Sequence, residues 1–271
     1  MSRTFRYTSA TYQSFRVNPQ HQLAVRHAML LFRSKTIYSF IPKNACSTLR
    51  LTLAIENGFI QKPSDFNWIH QNNDAFGADL PALATAPYTF VVLRCPFARI
   101  ASAFLDKIVG HTVEAWQMYE AIKRSREISS FTFDFFVRQL AAPAIRNSNI
   151  HWRPQVDFLL YHEYDDYFCL EQFEVAVQTL HQKIGVTVVD ARQLSSHGLD
   201  RYETIDDGSS FTHASALEIM NLKAAGKCPS LISLYSPELV AIVRNCYQQD
   251  FDLYLRQFGA DHLLFAPIGV A

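Results

Sequence analysis

Two stretches of the chain are apolar on successive positions, residues 36–41 (TIYSFI) and 88–93 (YTFVVL), without the alternation of a half-buried strand. Such runs predict central parallel strands covered on both faces. A third, shorter run at residues 167–170 (YFCL) has the same character. Each is followed by a helical pattern, over residues 47–57, 96–109 and 172–183. In the second of these Phe97, Ile100, Ala101, Phe104, Leu105 and Ile108 recur at helical spacing, with Arg99, Ser102, Asp106 and Lys107 between them. Strand then helix, repeated, predicts an α/β chain with a mainly parallel central sheet flanked by helices. Residues 132–140 predict a further helix, and another begins at Ser236, with Pro237 and Glu238 suited to its first turn. Residues 195–210 carry two glycines among acidic and hydroxyl residues and predict a loop, a candidate lid.

With 271 residues, 49% of them hydrophobic and 13% aromatic, the chain can bury a large core. It is expected to be one domain, residues 1–271, with residues 1–34 as an N-terminal extension and the binding motifs within residues 35–110. Formal net charge is zero. That balance gives no support to a general nucleic-acid binder or a cationic membrane-surface protein. The five cysteines are scattered without metal-like spacing and read as reduced thiols. No acidic cluster suggests a metal. The first 22 residues contain no apolar run suited to a signal peptide or a membrane span, so a cytoplasmic enzyme without a transmembrane segment is expected.

Candidate chemistry begins where the first run ends. Pro42, Lys43, Asn44, Ala45, Cys46, Ser47 and Thr48 form a short cationic, hydroxyl-bearing turn between strand and helix. The first N–H groups of a helix have no intrahelical partner and stand at the positive end of its dipole, so this turn can cradle a phosphate. Lys43 adds a positive charge, and Ser47 and Thr48 add hydroxyl donors. The turn has no glycine and its lysine precedes the helix, which departs from the glycine-rich loop of P-loop kinases. The second run ends at Arg94, Cys95 and Pro96, with Ser102 eight positions beyond the arginine. A guanidinium forks onto a phosphate and a hydroxyl adds a further donor.

These segments resemble, in order, the 5′-phosphosulfate loop and the 3′-phosphate motif (Arg-x-Pro-x-x-Arg-x-x-Ser) of sulfotransferases that use 3′-phosphoadenosine 5′-phosphosulfate (PAPS). The acidic residue usual after the arginine is Cys95 here. The elements His151-Trp152-Arg153-Pro154-Gln155, Tyr164-Asp165 through Glu171-Gln172-Phe173-Glu174, and Tyr247 through Tyr254 are similar to signatures of the carbohydrate sulfotransferases acting on chondroitin and dermatan. The resemblance is to a soluble, bacterial-like member of that family. It implies a P-loop-like three-layer sandwich and transfer of a sulfuryl group from PAPS to a carbohydrate hydroxyl, without a metal. Pro42 to Thr48, Arg94 and Ser102 would bind PAPS, and Lys43 would also assist catalysis. It further implies a histidine base between the two phosphate motifs, which favours His70, with His151 as the competitor. Arg153 and Lys107 are candidate contacts to an anionic acceptor, and Arg99 reads as structural. The alternatives from other classes are a P-loop-type nucleotide kinase and a nucleotide-binding protein without catalysis.

Overall fold

The computed structural model describes residues 2–8, 14–192, 194, 198 and 201–266. In chain order the helices begin with α1 (Pro19–Arg26), α2 (Cys46–Glu56), α3 (Leu80–Thr85), α4 (Pro96–Ala103), α5 (Val113–Ala121) and α6 (Phe133–Leu140). There follow α7 (Pro143–Arg146), α8 (Phe173–Ile184), α9 (Ala216–Ala224), α10 (Pro237–Cys246) and α11 (Gln248–Phe258). The strands are β1 (Ala28–Leu31), β2 (Thr36–Ser39), β3 (Thr89–Leu93), β4 (Asp166–Cys169), β5 (Glu203–Ile205) and β6 (Lys227–Pro229). The chain divides into two compact units, residues 1–94 with 155–196 and residues 95–154 with 197–271.

The first unit carries a four-stranded sheet in the order β1-β2-β3-β4. β2 runs parallel to β3 and β3 parallel to β4, with Tyr38 opposite Phe90 and Val92 opposite Phe168. Every residue of β2 and β3 is buried, as continuous apolar runs demand. β1 adds an antiparallel edge, Met29 opposite Tyr38, from within the segment read as an extension. Its four residues, AMLL, carry no alternation that would have marked a strand. Leu49 and Leu53 of α2 and Ala176 and Leu180 of α8 share one core cluster with Tyr38, Phe90, Val92 and Phe168 of the sheet. The Tyr38 and Phe90 rings stack with centroids 4.9 Å apart. α8 stops at Gly185, whose φ of 69° is the left-handed cap that a β-carbon disfavours.

The second unit is mainly helical. Phe97, Phe104, Phe133, Phe136 and Trp152 are all fully buried there. Phe104 meets Phe133 edge-on at 5.3 Å, and Phe136 meets Trp152 at 5.7 Å. α4 passes into a wide turn of π type over Phe104–Ile108, where the sequence pattern predicts an uninterrupted helix. Gly110 closes it, since a β-carbon at this position would fall 2.3 Å from the Asp106 carbonyl oxygen. Thr132 caps α6 by accepting from the Phe135 N–H, and Ser236 caps α10 by accepting from the Leu239 N–H. Part of the expected lid at residues 195–210 lies outside the described residues; of the remainder, β5 pairs in parallel with β6. Among the described residues no helix is long and apolar enough to cross a membrane. Trp152→Ala is expected to destabilise the protein by about 3–5 kcal/mol, read as a lower urea midpoint.

Candidate active site

The turn after β2 is strained and uncapped. Lys43 has φ of 74° and Ala45 φ of 54°, both left-handed without glycine. Each such residue costs on the order of 1–3 kcal/mol and persists only where its surroundings hold it. Ala45 stands at the N-cap of α2 with no side-chain hydrogen bond to the helix. The N-cap residue thus supplies no side-chain acceptor to the positive end of α2, an arrangement suited to an anion.

What holds the turn is a pair of buried amides. Asn44 Nδ2 donates to the Val92 carbonyl at 2.9 Å and to Gln155 Oε1 at 2.6 Å. Gln155 Oε1 also accepts from the Arg94 N–H at 3.0 Å, and Gln155 Nε2 donates to the Arg94 carbonyl at 2.9 Å. One glutamine side chain thus pairs with the main chain at the end of β3 as a neighbouring strand would, while gripping the turn that follows β2. Arg94 completes the link, its Nη1 donating to the Lys43 carbonyl at 3.0 Å. The structure brings Lys43 and Arg94 together at the carboxyl edge of the sheet, where parallel α/β sheets bind ligands. The Asn44 side chain faces inward as a staple. Gln155 had no assigned role, and its only signal was its place in the His-Trp-x-Pro-Gln element.

The other loop residues divide. Pro42 is buried, and Lys43, Cys46 and Ser47 are half-buried. Thr48 Oγ1 accepts from the Ala191 N–H at 3.3 Å, which still leaves its own proton to donate. Arg50, one turn into α2, is buried and donates from Nη2 to the Ile69 carbonyl. Its guanidinium lies 5.3 Å from the Phe40 ring centroid, and burial pulls it below its ordinary pKa. That bond ties the 3₁₀ turn Pro63–His70 to α2 and so positions His70, which is exposed with its ring edge-on to Phe66 at 5.2 Å.

Ser102, His151, Lys107, Arg99 and Arg153 belong to the second unit. Ser102 is buried on α4. Arg99 is also buried and donates to the Arg153 carbonyl at 2.7 Å and the Ile150 carbonyl at 3.2 Å, framing the turn that carries His151. Arg153 Nη1 donates to the Asn147 carbonyl at 2.9 Å, within the same turn. Lys107 Nζ lies 3.4 Å from Asp106 Oδ2 and 3.8 Å from Glu114 Oε1. The five cysteines are free, and Cys95 Sγ accepts from the Leu264 N–H at 3.5 Å.

Residues 26–255 match the Sulfotransferase family. The chain belongs to that family. Its α/β architecture, with a mainly parallel sheet and a phosphate-type turn after a central strand, fits the P-loop-like fold of sulfotransferases. Over 150 residues the chain is 27% identical to carbohydrate sulfotransferase 14 of Mus musculus, a match covering 50% of this chain and 40% of that relative. The chain thus matches well under two thirds of the relative's length. No solved structure matches it significantly.

Gln155→Leu is expected to leave Asn44 and the Arg94 main chain with unmet polar groups. The loss should be about 1–3 kcal/mol of stability, measured by urea denaturation.

Proposed function

We propose that this chain transfers the sulfuryl group of PAPS to a hydroxyl of a carbohydrate acceptor and releases adenosine 3′,5′-bisphosphate. The observation that carries the reading is the uncapped, left-handed entry to α2 tied through the Lys43 carbonyl to Arg94. An uncapped helix terminus and a guanidinium side by side suit a nucleotide bearing two separate phosphate groups. In this reading the turn from Pro42 through Thr48 binds the 5′-phosphosulfate, with Lys43, the N–H groups of Cys46 and Ser47, and the hydroxyls of Ser47 and Thr48 as donors. Arg94, together with Ser102 from the motif it completes, takes the 3′-phosphate.

Chemically, the acceptor oxygen forms a bond to sulfur as the bond from sulfur to the 5′-phosphate oxygen breaks, in a roughly in-line displacement. The electron pair departs on that phosphate oxygen, where Lys43 and the helix N-terminus stabilise the growing charge. The acceptor proton passes to a histidine. His70, from between the two phosphate motifs, is the favoured proton acceptor, with His151 as the competing candidate. The family match and the mouse relative's name support sulfotransfer to a carbohydrate. Five free cysteines favour a reducing, cytoplasmic setting.

Calorimetry with adenosine 3′,5′-bisphosphate, ADP and GDP tests the donor. The 3′-phosphorylated ligand should bind at least tenfold tighter than the other two, and equal affinities would favour a kinase-type nucleotide site. Arg94→Ala should weaken bisphosphate binding about 10- to 100-fold, the loss of one charge-assisted contact. Lys43→Ala should lower kcat by about 10²–10³-fold, followed as labelled sulfate transferred from PAPS to chondroitin and dermatan oligosaccharides.

A further inference from the structure

A groove opens in the second unit between residues 210–214 and α9. Its volume is about 670 Å³, within the range of small-ligand sites. Both walls are fixed in place. The Phe211 N–H donates to the Ser233 carbonyl at 2.8 Å, and the Thr212 carbonyl accepts from the Asp134 N–H at 3.1 Å. The Ala216 N–H donates to the Phe131 carbonyl at 2.6 Å, and Ser215 closes a capping box with Glu218 at the start of α9. Ala216 and Ile219 bury the inner face of α9, so Glu218, Asn221 and Leu222, spaced three and four apart, stand together on its outer face.

The lining combines apolar surface with free polar groups. Phe211 and Leu222 are half-buried, and His213, Glu218 and Asn221 are exposed around them. Among the described residues the Asn221 amide and the His213 ring have no hydrogen-bonding partner, and Glu218 spends only Oε2, on the Ser215 N–H at 2.6 Å. An amide donates and accepts at once, a carboxylate accepts from hydroxyls, and an aromatic face covers C–H groups. The complementary ligand bears several hydroxyls around an apolar face, which describes a sugar ring. No lysine or arginine lines the groove, and its one carboxylate, Glu218, is held below the usual carboxylate range by the Ser215 N–H. An anionic group brought here would meet a like charge without a basic side chain to offset it.

We propose that this groove binds an uncharged sugar residue, with Asn221 and Glu218 on its hydroxyls and Phe211 against its C–H face. That the sugar belongs to the acceptor glycan rests on the sulfuryl-transfer reading above; that the groove holds a neutral sugar does not. In a glycan that alternates neutral and acidic residues the groove sets the register. The neutral residue occupies it, and the uronate lies outside.

Titration of the nitrogen-15-labelled intact chain with N-acetylgalactosamine, methyl galactoside and glucuronate tests the site. The neutral sugars should shift the Asn221 side-chain amide signal with a Kd of roughly 1–10 mM, and glucuronate should bind at least about tenfold more weakly. Asn221→Ala, at an exposed helical position that alanine suits, should weaken the neutral sugars about 5- to 10-fold, read by saturation transfer to the sugar protons. Glu218→Gln keeps a capping side chain and should bring glucuronate to within about threefold of the neutral sugars, a change that a purely structural role would not produce. An Asn221 signal unmoved by the neutral sugars, equal binding of glucuronate by the parent, or full affinity in Asn221→Ala overturns the site. In turnover of PAPS with chondroitin oligosaccharides, Asn221→Ala should raise the acceptor KM about fivefold and leave kcat and bisphosphate affinity in place. An unmoved KM overturns the link to the acceptor. Failure of adenosine 3′,5′-bisphosphate to bind would instead sink the donor reading, and the sugar titration would still decide the groove.

Discussion

The side-chain amide of Gln155 is the constraint on which the first unit's functional edge depends. It reads both main-chain groups of Arg94 and at the same time holds Asn44. Two left-handed residues without glycine flank Asn44, and such conformations relax unless something overdetermines them. Here the Asn44 amide supplies the restraint from inside the turn, and the Arg94 guanidinium supplies it from outside through the Lys43 carbonyl. The helix that follows can therefore begin without a capping side chain.

Buried cations recur where the chain needs a turn held in place. Arg50 spends a donor on the Ile69 carbonyl, and Arg99 spends two on Ile150 and Arg153. A buried guanidinium is costly to desolvate, and main-chain carbonyls repay part of that cost while fixing irregular backbone. In the second unit the same turn is held further by Trp152 Nε1 donating to the Ile145 carbonyl and by the Tyr247 hydroxyl donating to the Trp152 carbonyl. Tyr247 is fully buried, and burial pushes its phenol well above its ordinary pKa, so it remains a donor. The His151 segment is thus held in part by residues far from it in sequence.

Much of the fold was legible in the chain. Residues 36–41 and 88–93 announced β2 and β3 because a strand covered on both faces must be apolar throughout, and that is a local property. The helices after them were equally plain, Pro96 marking the start of α4 as Thr132 and Ser236 mark those of α6 and α10. β1 escaped notice because AMLL carries neither alternation nor turn punctuation, and it becomes a strand only by pairing with β2. The wide turn at Phe104–Ile108 escaped because its apolar spacing is that of an ordinary helix, and its closure depends on Gly110 meeting Asp106.

At the functional edge, the sequence by itself determined which groups exist and roughly where along the sheet they stand. A cationic turn and an arginine each end a buried strand, and parallel strands bring such ends to one side. Only the tertiary structure decided that Asn44 faces inward, that Gln155 joins two turns from 111 and 61 residues away, and that Glu114 meets His151. Those pairings cross long stretches of chain, and their partners are chosen by packing and by the need to satisfy buried polar groups. Local patterns report burial; they carry no record of which distant group will be found there.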